Sequence, residues 1–438
     1  MVLLVRGMTQ FMRPWIWSLL VATVLLVATA CTSSPPPSQP SLGEIRIGLL
    51  APLSGSEKPA GTDAVHGAQL AAAVLSGRAG AQLRNSEFNV PRLGGSSVRI
   101  IPADTRTHDP DHAVTEAVRL ATKDGVAGLV GAYDPDVTAA ASQRSERLPI
   151  PFVNGDSSAG FLSERGLDWF FRTGPTDRSL GEAVFSTLGQ QAAAGARTRR
   201  IGVLYADDAP SNGLAAATNG LASEGGYQIV PQGPVSFPPG PGRDPGASVA
   251  KVRAAQPDVV ILIADQPVDA QKIVNAFAAP GFTPAGVFTL GAGFRQPPAL
   301  QNFVQHGVGL LDSTPWSREA ATRNPASRAV VSLYEDSYHT PMSDVAAGSF
   351  TAVLTLANAI DHAGSLEPDR IRTALLSLNV PGRSTIMPWS GVRFDATTHQ
   401  NALATGLVEQ FLQGSFRVIF PRELGQTGVV WPIANART

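Results

Sequence analysis

A chain of 438 residues exceeds the length over which one hydrophobic core keeps growing, so at least two domains are expected. Hydrophobic residues make up 43% and charged residues 16%, which excludes global disorder, and a formal net charge of -1 without a long basic run argues against a nucleic-acid partner. One cysteine in the whole chain excludes an internal disulfide and a thiolate metal cluster.

That cysteine, Cys31, comes early. Arg6 and Arg13 are followed by an apolar run over residues 15–27 and by the small residues Ala28, Thr29 and Ala30. The order is that of a secretory signal over residues 1–30. The run is shorter than the roughly 20 apolar residues of a spanning helix, which favours cleavage over an uncleaved anchor. The Ser/Pro-rich stretch that follows Cys31, up to residue 43, cannot bury a core and is expected to be an extended tether.

The body opens with EIRIGLLAPLSG, whose Ile45, Ile47, Leu49 and Leu50 predict a strand ending in turn residues. AVHGAQLAAAVLSG predicts a helix stopped near Gly77, and VRIIPADT a second strand. In DPDHAVTEAVRLATKDG, Asp109 is placed to cap a helix with Pro110 in its first position. VAGLVGAY predicts a third strand running into Asp134 and Pro135. This βαβαβ order is that of a parallel sheet covered by helices.

The order begins again at Arg200. RRIGVLYADDAPSNG reads as strand and loop, GLAAATNGLASEGG as helix, and YQIVPQGPVSF as one strand. DPGASVAKVRAAQPDVVILIADQ then repeats the plan of DPDHAVTEAVRLATKDGVAGLVGAYD. The internal echo predicts an α/β fold of two doubly wound, Rossmann-like lobes with a cleft between them. In such sheets ligands meet the carboxyl ends of the strands. Those ends fall at residues 54–62, 133–136, 154–158, 207–212, 265–266 and 291–295.

The body resembles the substrate-binding proteins of ABC transporters for branched-chain amino acids, the Leu/Ile/Val-binding branch of the type I periplasmic binding proteins. The resemblance covers about residues 45–421. It rests on IGLLAPLSG with Gly67-Ala68, on Asp104 and Asp109-Pro110, on FFRTGPTDRSLG, and on the late runs GSFTAVLTLANAIDHAGSLEPDRIRTAL and GVRFDATTHQNALATGLVEQFLQGSFRVIFP, in collinear order. It implies lobes of residues 44–174 with 313–404 and 175–312 with 405–438, joined by three hinge crossings near Gly174, near Asp312 and at 404–407. It further implies capture of a small polar metabolite, an amino acid or related amide or acid, and delivery to an ABC permease by a monomer. The head of the chain resembles a lipoprotein signal, with Cys31 as the lipidated residue holding the protein outside the cytoplasm at the cell membrane. Ala28 departs from the larger aliphatic residue usual there.

Carried over position by position, the pocket changes while the scaffold stays. Pro135 stands where the family has a carboxylate-binding serine, Pro210 where it has a tyrosine, and Ala292 where it has an acidic anchor for the ammonium group. Ser157 and Ser158 keep the hydroxyls of the second carboxylate position, and an aromatic position becomes Asp265 or Gln266. The candidate ligand-binding residues are therefore Tyr133, Asp134, Ser157, Ser158, Asp265 and Gln266. Asp265 can pair with a ligand cation or cap the helix after it. Ser157 and Ser158 can donate to an anion or carbonyl, and Tyr133 can offer a flat face with a polar tip or simply pack.

Other chemistries have less support. Gly155-Asp156-Ser157 lacks the G-x-S-x-G spacing of a hydrolase nucleophile, so no enzyme is expected, and no Walker or dinucleotide loop calls for a cofactor. His108 and His112 have metal-compatible spacing, but Pro110 between them places His108 ahead of the helix, and no metal site is expected. A receptor that reports ligand occupancy to a membrane signalling partner would have the same sequence features.

Overall fold

The computed structural model describes residues 41–85, 88, 90–278, 281–296, 308–425 and 427–437. The proposed signal, Cys31 and nearly all of the tether lie outside the described residues. The tether reading stops short of residue 43, however: Leu42 packs against the body and its backbone N–H donates to Ser96 Oγ at 2.7 Å.

The first sheet holds β1 (Glu44–Ala51), β2 (Ser97–Asp104), β3 (Gly128–Gly131), β4 (Phe152–Asn154) and β5 (Phe170–Arg172), all parallel, in the order β2-β1-β3-β4-β5. Alternation of side chains along the strands feeds two cores. Ile45, Ile47, Leu49, Val130, Val153 and Phe171 face one, and Leu129, Phe152 and Phe170 the other. The helices α2 (Pro110–Thr122) and α3 (Pro135–Glu146) cover the second face through Ala113, Ala117, Leu120, Val137 and Ala141. Asp109 caps α2 by accepting from the backbone N–H of His112 at 3.0 Å, with Pro110 first in the helix.

The other face is covered by α1 (Lys58–Leu75) and by a helix from late in the chain. Their contact is close: a Cβ added at Gly67 would lie 2.1 Å from the carbonyl oxygen of Ala346. Backbone cannot yield as a flexible side chain does, so Gly67→Ala is expected to cost about 1–3 kcal/mol in urea unfolding. Gly189→Ala, where nothing lies within 4 Å, should be neutral or stabilise by up to about 1 kcal/mol.

After β5 the chain enters the second sheet, built on α4 (Asp177–Ala193), β6 (Arg200–Ala206), α5 (Ala209–Glu224), α6 (Gly246–Ala254), β9 (Val259–Ile263), α7 (Pro267–Ala278), β10 (Gly286–Leu290) and β11 (Leu311–Thr314). The strand expected over residues 227–237 is two short ones, β7 (Gln228–Ile229) and β8 (Val235–Phe237), both paired with β6. Pro231 has no N–H for the ladder, and the turn residues beside it end the first pairing. The second Asp-Pro also differs from the first: Asp244 accepts from Gly246 N at 2.8 Å, ahead of α6 rather than at its cap.

The passage expected near Asp312 begins only after Thr314, because β11 pairs through that residue with β14 (Leu407–Leu412). Helices α8 (Arg318–Ala321), α9 (Pro325–Tyr338), α10 (Asp344–Ala363) and α11 (Pro368–Ser377) follow, with α10 lying on α1. A two-stranded ribbon, β12 (Val380–Pro381) with β13 (Gly391–Val392), leads back to β14 and β15 (Ser415–Phe420), an antiparallel pair that extends the second sheet with β14 antiparallel to β11. The fold is thus two Rossmann-like lobes between which the described chain passes three times. No helix among the described residues is long and apolar enough to cross a membrane.

Candidate functional site

The carboxyl ends of both sheets face one another across a cavity whose walls come from both lobes. The space between these walls, open mouth included, is about 810 Å³. Tyr133, Asp134, Ser157, Ser158 and Asp265 all line it; Gln266 does not. Gln266 instead donates from Nε2 to Glu57 Oε1 at 2.9 Å and so links strand ends of the two lobes.

Each remaining candidate has a distinct environment. Tyr133 packs partly against the first lobe's core, and its hydroxyl accepts from Gln296 Nε2 at 3.2 Å, a second bridge across the cleft. Burial, then the surrounding carboxylates, raise its hydroxyl well above the ordinary tyrosine range. Asp134 precedes α3 without bonding its N–H groups; Oδ2 accepts from the backbone N–H of His108 at 3.4 Å. Ser157 is 4% exposed and its Oγ has no hydrogen-bond partner. Ser158 Oγ donates to Asp177 Oδ1 at 2.5 Å, so that hydroxyl is engaged by the protein. For Asp265, burial and the nearby Asp134 and Asp208 push the carboxyl up to about 8, outweighing the backbone N–H of Ala292 and the charge of Arg295, which favour its ionised form.

Two residues within the expected strand ends, though not among the candidates, complete the wall. Asp156 accepts from Ser349 Oγ at 3.0 Å through Oδ2, leaves Oδ1 unpartnered, and is pushed up to about 8 by burial. Arg295 donates to Asp344 Oδ2 at 2.7 Å and to Asp312 Oδ2 at 3.2 Å, joining the turn after β10 to the first residue of α10. Burial would lower the Arg295 guanidinium, but Asp344 and Asp312 hold it above its ordinary value.

Among the described residues one group has the composition of a metal site: the ligand atoms of Glu57, His108 and Asp134 lie within 4.8 Å of one another. His108, with a left-handed φ of 51°, sets Nε2 3.4 Å from Glu57 Oε1 and Nδ1 3.4 Å from Asp134 Oδ1. Burial, then Asp134 and Asp265, push the Glu57 carboxyl well up, so it retains a proton at neutral pH. His112 takes no part in the group.

Two Rossmann-like lobes, three connections and a cavity at the facing strand ends define a two-lobed binding protein. The model of the family described as periplasmic binding protein matches residues 44–410, and the chain belongs to that family. It is 25% identical over 406 residues to Leu/Ile/Val-binding protein homolog 8 of Brucella suis biovar 1, covering 91% of this chain and 94% of that protein. Among solved structures it is similar to a putative branched-chain amino acid ABC transporter protein from Silicibacter pomeroyi, with TM-score 0.73, 19% identity, and 89% and 99% of the two chains covered. It is also similar to an ABC transporter solute-binding protein from R. palustris in complex with benzoate, with TM-score 0.66, 17% identity, and coverage of 86% and 96%.

Proposed function

We propose that this chain is an extracytoplasmic solute-binding lipoprotein that captures a small polar metabolite by hinge closure and hands it to an ABC permease. The observation that carries the reading is one cavity walled by the strand ends of both sheets, so that closing the hinge buries what lies between. The hinge is formed by the passages at residues 173–176, after Thr314 and at 405–406, which divides the body into lobes close to residues 44–174 with 315–404 and 175–314 with 405–437. Tyr133, Asp134, Ser157 and Asp265 contact the solute, and Gln266 acts by joining the lobes. Cys31 carries the lipid and residues 32–40 the slack, leaving a monomeric body free to close. We read the role as binding rather than catalysis because the family matched is one of binding proteins and a similar solved structure is a solute-binding protein.

A thermal-shift screen of the chain lacking residues 1–31, against amino acids, amides, aromatic acids and amines, tests this. A solute at about 100 times its dissociation constant should stabilise the protein by about 2.7 kcal/mol. If no small molecule raises the melting temperature, the receptor reading fails.

A further inference from the structure

The cavity is one-sided in its ionisable groups. Its wall carries the carboxyl groups of Asp134, Asp156, Asp177, Asp265 and Asp344, against the single guanidinium of Arg295. Arg295 is already held by Asp344 and Asp312. Asp177 accepts from Ser158, and Asp134 faces His108. That leaves Asp156, after β4 in one lobe, and Asp265, after β9 in the other, with no ion pair to any described residue. Beside them, Ser157 Oγ and Asp156 Oδ1 have no hydrogen-bond partner, although Ser157 is 96% buried by its 4% exposure.

The places where an anion would ordinarily sit are also taken. Helix N-termini attract negative charge through their free N–H groups. Here α3 begins with Asp134 and Pro135, α4 with Asp177 after Thr176, α5 with Asp208 accepting from Ser211 N, and α10 with Asp344 after Ser343. A ligand carboxylate entering this space meets like charge at each of them. Pro135, Pro175, Leu180, Pro210, Leu214 and Pro315 belong to the apolar part of the wall.

We infer that the solute is a small organic cation, an amine or guanidinium compound without a carboxylate, held between Asp156 and Asp265 with Ser157 Oγ accepting a further hydrogen bond. Its carbon skeleton lies on the proline and leucine wall. An ionised amine supplies N–H donors to both groups, and its charge displaces the protons that burial favours on Asp156 and Asp265 in the empty cleft, so that a charge-assisted bond from each lobe favours the closed form. This rests on the solute-binding reading and narrows it.

Calorimetric titration of the purified protein with three compounds of one skeleton isolates charge: 3-methylbutylamine, L-leucine and 4-methylpentanoate. Agmatine, 1,4-diaminobutane and benzoate complete the set. A cation is expected to bind tightest, and Asp156→Asn and Asp265→Asn are each expected to weaken it by at least about tenfold. Unchanged or raised melting temperatures of the two unliganded variants would show that they remain folded. If leucine or either carboxylate binds as tightly as the best cation, or if the two substitutions leave amine affinity unchanged, the cation assignment is overturned while solute binding stands. If none of these compounds binds, the cation assignment falls, and the broader thermal-shift screen decides the receptor reading separately.

Discussion

Arg295→Met is expected to lower the unfolding free energy by about 3 kcal/mol or more, because it strands two carboxylates that the guanidinium now neutralises. Asp312 is fully buried in β11, and burial raises it to about 6 even with Arg295 beside it. Its Oδ1 accepts from Thr289 Oγ1 at 2.6 Å and its Oδ2 from Arg295 Nη1, so loss of the arginine leaves half the carboxylate without a donor. Asp344, on the other lobe, loses bonds from both Nε and Nη2. Methionine keeps much of the aliphatic stem, which limits the cavity contribution. Urea denaturation measures the loss, and Asp312→Asn added to Arg295→Met should recover part of it by removing the stranded charge. A loss below about 1 kcal/mol would show that the three side chains do not act as a clamp between the lobes.

Much of the scaffold could be read from local pattern because local rules and tertiary demands agree. The strand at Ile45–Leu50 is nearly continuously apolar and buried, as a parallel strand covered on both faces is, and Asp109-Pro110 caps α2 as its sequence suggests. The repeated segment was legible for the same reason, yet its Asp244-Pro245 sits one step outside the helix, and Pro231 splits a run that hydrophobicity alone joins. Strand-end logic found Tyr133, Asp134, Ser157, Ser158 and Asp265, since topology alone brings those positions to one cavity.

What that logic could not supply was partnership. Glu57 meets Gln266 across 209 positions of sequence, and Arg295 meets Asp344 across 49 while crossing from one lobe to the other. Asp344, following Ser343, looks like an ordinary helix start, and its local signal is satisfied without reference to Arg295. His108 reaches Glu57 and Asp134 only because its backbone turns left-handed before α2, a conformation no residue pattern here announces. Gln266 occupies the right strand end, but an amide there is equally suited to a solute or to the other lobe.

Arg172→Met is the substitution expected to damage both fold and binding. Arg172 is 0% exposed and makes no ion pair among the described residues; burial lowers it to about 10. It works as a fork of donors: Nε to Gln400 Oε1 at 2.5 Å, Nη1 to Ala159 O at 2.5 Å, and Nη2 to Ser163 Oγ at 2.8 Å. Gln400 in turn donates to Gly174 O at 2.7 Å, and Asn401 Nδ2 to Thr173 O at 3.0 Å, so two of the passages between lobes run side by side at this point. Removing the fork leaves buried acceptors without donors, at about 1–3 kcal/mol each, and an overall loss of about 3–5 kcal/mol is expected. The same loss frees the segment carrying Ser157 and Ser158, so solute affinity should fall by at least about tenfold at a temperature where circular dichroism shows the variant folded. Arg172→Lys keeps the charge but reaches fewer of the acceptors, and should fall between the two. Wild-type affinity in a folded Arg172→Met protein would mean that this arginine supports the sheet alone and does not position the binding loop.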